Sequence, residues 1–127
     1  MADILKEIVK MLPEGRISHA GFEAANIVLY TKDKEYYFDN RGTIMAAVRE
    51  FKKRVELRPD PSLCMEQEKA EKMIKQILPS DAGVQECIFD PHRSQVIIHA
   101  DNPGLVIGKQ GEILREIAHK TFWVPSI

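Results

Sequence analysis

The chain says the same thing twice, and that repetition restricts its fold more than any other feature. Leu12-Pro13 and Leu78-Pro79 stand 66 residues apart, as do Ile8 and Ile74. Further along the spacing becomes 69: "IVLY" at Ile27 to Tyr30 falls on "VIIH" at Val96 to His99, "YYF" falls on "LVI", Gly42 on Gly111, Ile44 on Ile113 and Val48 on Ile117. A fixed offset that runs through strand-like, loop-like and helix-like stretches marks an internal duplication. The three extra residues of the second copy are expected between its paired strands, where "DPHRS" supplies a turn.

Each copy has the same order of elements. An amphipathic pattern over about residues 2–12 gives a first helix that Pro13 and Gly15 stop. "RISHAGF" and "NIVLY" follow as strands, then "KEYYF", a break at "DNRG", the helix "TIMAAVREFKKR" and the strand "VELR". After "RPDPS" the pattern restarts with a helix from about Met65 to Leu78, strands "VQECIF" and "QVIIHA", then "GLVI", "GKQG", the helix "EILREIAHKT" and a final strand within "FWVPSI". The expected fold is α+β, two αββααβ units over residues 1–60 and 61–127, each a small three-stranded sheet packed with helices. At 127 residues and 44% hydrophobic content the chain can fill one ordinary core or two very small ones.

The two breaks differ. The second reads Gly108-Lys109-Gln110-Gly111 and the first Asp39-Asn40-Arg41-Gly42. A glycine costs roughly 1 kcal/mol against alanine inside a helix, so the backbone must turn sharply there. The first copy turns without a glycine at Asp39, so Gly108 answers a further demand, such as the close approach of a ligand. Amides at the start of the helix from Glu112 lack intrahelical partners and carry the positive end of its dipole, which suits a phosphate, and Lys109 adds a cation. Val106, Ile107 and Ile113 lie beside the turn, and Ile98 and His99 belong to the "VIIH" strand of the same unit. An apolar groove beside a phosphate-gripping turn suits unstacked bases of single-stranded RNA. The candidate RNA-binding residues are therefore Gly108, Lys109, Gln110 and Gly111 with Arg115, flanked by Val106, Ile107, Ile113, Ile98 and His99. Leu114 and Ile117 read as core.

That constellation resembles the K-homology (KH) fold of type II, whose Gly-x-x-Gly loop between two helices clamps the backbone of about four nucleotides. "DNRG" departs from the loop, so the first unit resembles the fold in architecture only. The tandem as a whole, joined through "VELRPDPS" and carrying "NPGLVIGKQGEILREIAHKT", resembles the N-terminal region of archaeal cleavage and polyadenylation specificity factor-like β-CASP ribonucleases. The resemblance implies RNA recognition for transcription termination or RNA 3′-end processing. It places cutting, with two zinc ions, in a metallo-β-lactamase domain whose His-x-His-x-Asp-His run this chain lacks. No cofactor is expected in these residues. The expected partners are single-stranded RNA and, through the first unit, proteins, with dimerisation in a longer parent protein.

Other chemistries find little support. Net charge is -1, which argues against coating duplex nucleic acid by charge alone. Cys64 and Cys87 form no Cys-x-x-Cys pair, and the four histidines have no zinc-ligand spacing. Glu66, Glu68 and Glu71 alternate with lysines as a solvated helix face rather than a catalytic pair. The glycine turn has neither the Gly-Lys-Ser/Thr ending of a Walker loop nor dinucleotide-fold spacing, so no enzymatic activity is expected within the chain. A protein-interaction scaffold is the alternative, with "YYF" at Tyr36 to Phe38 as a candidate contact and the basic run Arg49 to Arg54 read as complementing a helix end. The apolar runs are too short to span a bilayer and the start is unlike a signal peptide, so a cytoplasmic location and no membrane are expected.

Overall fold

The computed structural model describes residues 3–127, in which two compact units divide between Ser62 and Leu63. In the first unit α1 (Asp3–Met11) leads to the hairpin β1 (His19–Glu23) and β2 (Asn26–Thr31), then α2 (Lys34–Phe38), α3 (Thr43–Phe51) and β3 (Val55–Pro59). In the second, α4 (Gln67–Ile77) is followed by β4 (Val84–Asp90), β5 (Gln95–Ala100), α5 (Pro103–Ile107), α6 (Glu112–Thr121) and β6 (Val124–Ser126). Both sheets have the hairpin's second strand in the centre, antiparallel to its predecessor and parallel to the last strand. The α+β fold read from the sequence is the one observed, and β2 and β5 are equivalent strands.

The three-residue difference between the copies is not confined to the hairpin turn. His19 lies opposite Tyr30, and Glu86 opposite His99, so the offset has already reached 67 on the first strands. The extra residue enters at a β-bulge between Val84 and Glu86, and only the remaining two lengthen the turn. A bulge adds a residue to one strand without changing the fold around it.

Strand alternation and the helical period build each core. Ile8 of α1 and Leu12 just beyond it meet Ile27 and Leu29 of β2 and Ala47 of α3. Ala70 and Ile74 of α4 meet Val96 and Ile98 of β5, Val106 of α5, Ile117 of α6 and Trp123. The indole donates to the Met65 carbonyl at 2.7 Å and stands edge-on to Phe89, with centroids 4.8 Å apart. Burial of that ring therefore costs no unsatisfied polar group.

The outward side of the first sheet is closed by charge. Arg58 on β3 is almost fully buried and grips Glu23 on β1 through both terminal nitrogens, at 2.6 and 2.9 Å. Its Nε reaches Glu56 at 2.8 Å, and the guanidinium also donates to Tyr30 Oη. Burial pulls this guanidinium's pKa down, but its hydrogen bonds to the two carboxylates outweigh that and hold it above the ordinary value. Arg58→Ala leaves two carboxylates facing each other and is expected to destabilise the first unit by about 2–3 kcal/mol, less than a fully buried pair because both acids are partly exposed. All three tyrosines lie in the first unit and the single tryptophan in the second. Tyrosine near-ultraviolet dichroism should thus melt earlier, with Trp123 fluorescence reporting on the second unit.

Candidate nucleic-acid interface

The two loops have nearly the same backbone and reach it by different chemistry. Arg41 (φ 54) and Gly42 (φ 76) in the first unit, and Gln110 (φ 52) and Gly111 (φ 74) in the second, are successive left-handed residues just before α3 and α6. The loops part company one step earlier. Asp39 is extended, at φ -148 and ψ 98, whereas Gly108 takes φ 74 and ψ -174. That second combination is essentially closed to residues with a side chain.

Packing at Gly108 is equally exclusive. A Cβ there would lie 2.7 Å from Ile113 Cγ1 and 3.0 Å from its Cδ1. Its close neighbour is thus the unit's own Ile113, so conformation and internal packing already require the glycine. At Gly111 a Cβ would come no nearer than 3.4 Å, to Arg115 Nη1.

Different side chains hold the two turns. In the first unit the Asp39 carboxylate accepts from the Arg41 amide at 3.0 Å, and Thr43 Oγ1 donates to the Asn40 carbonyl at 2.8 Å while lying 2.6 Å from Tyr36 Oη. In the second unit position 108 has no side chain to offer, and Arg115 Nη1 reaches back from α6 to the Gln110 carbonyl. Arg115 thus braces the left-handed turn while its guanidinium remains exposed.

Only some of the sequence candidates gather here. Lys109, Gln110 and Arg115 are exposed around the turn, Ile107 is 38% exposed, and Ile113 lies half-buried beneath Gly108. Val106 and Ile98 are fully buried in the core, which corrects their placement as groove lining. One turns inward on a helix and the other on the core side of β5. His99 alternates to the opposite side of β5, where its Nδ1 lies 3.5 Å from Glu86 on β4, so it faces away from the helices that carry the loop. Leu105, 39% exposed, is the apolar neighbour that adjacency to the glycines missed. The helical period of α5, begun by Pro103, turns Leu105 outward where it turns Val106 in.

The electrostatics of the two loops are opposed. Around the second, Lys109 and Arg115 outnumber Glu112. The first borders a cleft of about 450 Å³ lined by Asp33, Glu35 and Asp39 with Arg16 and Arg41, and Arg16 is taken by Asp33 at 2.9 Å. Among the described residues no three histidines, cysteines or acids stand close enough to hold a metal ion. No described helix is long and apolar enough to cross a membrane.

Two αββααβ units, each turning through paired left-handed residues into its last helix, define a tandem KH module. Residues 1–64 match the family of the KH domain of transcription termination factor FttA, and residues 69–121 match the general KH domain family. The chain belongs to the first of these, the FttA KH family, toward which the sequence resemblance had pointed. It is 42% identical to transcription termination factor FttA of Thermococcus kodakarensis over 98% of its length. It is 38% identical to that of Pyrococcus horikoshii and 35% to that of Methanosarcina mazei, over its whole length in both cases. The chain spans about a fifth of the length of these relatives.

Proposed function

We propose that the second unit binds single-stranded RNA at Gly108 to Gly111 and serves as an RNA-recognition part in transcription termination, the process for which the relatives are named. The observation that carries this reading is the exchange at one loop position. Where the first unit has Asp39 answering the amide of Arg41, the second has Gly108, which leaves the equivalent amide of Gln110 without a carboxylate in that place. A backbone phosphate is the anion that fits there, with the N-terminus of α6, Lys109 and Arg115 contributing positive potential. Leu105, Ile107 and Ile113 offer an apolar flank for a base. The first unit's loop, with its own carboxylate in place and two more in the adjoining cleft, is unsuited to phosphate and acts as a scaffold. Cutting, and the two zinc ions it needs in the family the sequence resembles, belong in this reading to residues outside this chain.

Titrating the isotope-labelled chain with short single-stranded oligouridine and oligoadenosine tests the reading. Amide shifts should concentrate on residues 105–115 and spare residues 39–43. Affinity should fall with salt at a slope near -0.7 per neutralised phosphate. Shifts centred on the first loop, or an absence of saturable binding at low salt, would refute it.

A further inference from the structure

We propose that the groove between α1 and the outer edge of β1 seats an extended segment of a partner protein, alternating apolar and acidic residues, which adds a strand to the first unit's sheet. β1 is an edge strand in the order β1-β2-β3. Such an edge leaves alternate amides and carbonyls directed away from its one neighbour, a template for another chain. Beside it runs a groove of about 350 Å³ lined by Leu5, Val9 and Ala20, with Lys6 and Lys10 at its rim. The three apolar residues are only partly buried against the core, and both lysines are exposed. Strand alternation puts Phe22, 49% exposed, on the same side as Ala20 and lengthens the apolar track. Among the described residues no acid lines the groove, and its two lysines favour an acidic partner.

The duplicate unit supplies the contrast. At the 66-residue offset Leu5 and Val9 correspond to Glu71 and Lys75, which pair with each other at 3.3 Å and lay a salt bridge where the first unit has an apolar floor. Lys10 corresponds to Gln76. The edge strand differs too: β4 carries the bulge between Val84 and Glu86, a device that blunts edge pairing, whereas β1 keeps an unbroken register from His19 to Glu23. One fold thus has this place sealed in one copy and open in the other. The inference concerns the first unit alone and does not depend on RNA binding by the second.

The probe is a capped heptapeptide alternating valine with aspartate, titrated into the full isotope-labelled chain, beside the same peptide with lysine for aspartate. Saturable amide shifts are expected over α1 and β1, with the lysine peptide at least about tenfold weaker. Leu5→Glu with Val9→Lys installs the second unit's pair and should abolish binding. Because that change touches residues packed on the core, Lys6→Glu with Lys10→Glu provides a second variant, altering only exposed charges. It should lose the aspartate peptide and gain the lysine one. Unchanged preference in the lysine variant, shifts centred on residues 105–115, or no saturation by either peptide would overturn the proposal. So would sedimentation showing that the chain pairs with itself through β1 in the absence of peptide, since the occupant would then be a second copy. Loss of RNA binding with peptide binding intact, or the reverse, separates this proposal from the RNA assignment.

Discussion

Lys109→Asp combined with Gln110→Asp is expected to weaken RNA binding about a hundredfold at low ionic strength while leaving the melting temperature nearly unchanged. The double substitution removes one attraction for a phosphate and adds two repulsions, each on the order of 1 kcal/mol at surface dielectric. Both side chains are exposed, so the fold loses no packing. Gln110 keeps its left-handed backbone through Arg115, which holds its carbonyl rather than its side chain. The matching change in the first unit, Asn40→Asp with Arg41→Asp, should alter affinity far less, because Asp39 already places an anion at that loop. Fluorescence anisotropy with a labelled single-stranded RNA, across a salt series, checks both. An equal loss from the first unit's variant would show that the reader is the other copy. Full-strength binding by the second unit's variant would show that its glycines serve only to turn the chain.

Gly108→Ala should do the opposite, damaging the fold first. Its φ 74 and ψ -174 combination costs a side-chain-bearing residue roughly 1–3 kcal/mol, and the new Cβ would also displace Ile113 from 2.7 Å. A loss of about 3 kcal/mol is expected for the second unit, visible as earlier unfolding by Trp123 fluorescence. Gly111→Ala and Gly42→Ala keep ordinary left-handed angles with no close clash, and each should cost about 1 kcal/mol. Equal melting temperatures for the alanine variants at 108 and 111 would contradict the packing described here. An alanine at 108 is therefore a poor probe of RNA contact, since lost binding would follow from lost structure.

The fold was legible because duplication leaves an offset that holds over whole elements, 66 for Ile8 with Ile74 and 69 for Val48 with Ile117, and these pairs can be aligned without knowing any angle. What the offset could not show was where the three added residues enter, since a bulge at Val84–Glu86 leaves no mark in hydrophobic pattern as a turn does. The loop was legible as a special place, yet the reason for Gly108 was not. It lies in a dihedral pair and in the position of Ile113, both products of packing. Val106 reads as groove lining from its adjacency to the glycines, and Ile98 from belonging to a strand of the same unit. The helical turn of α5 and the alternation of β5 send them into the core, and the same rules bring Leu105 out and carry His99 to the far side. The α1 and β1 groove was invisible until the copies were compared, because Leu5 and Val9 have the pattern of an ordinary amphipathic helix.

The paired left-handed residues before α3 and α6 persist in both units although the side chains securing them have nothing in common. Shape and charge are therefore separate inheritances of this loop. The bend is answerable to the interior, since it sets how the last helix is laid onto the sheet, while residues 39–41 and 108–110 are answerable to whatever solvent brings. A copy of such a module can change its external trade by exchanging a few surface side chains and never pass through an unfolded ancestor.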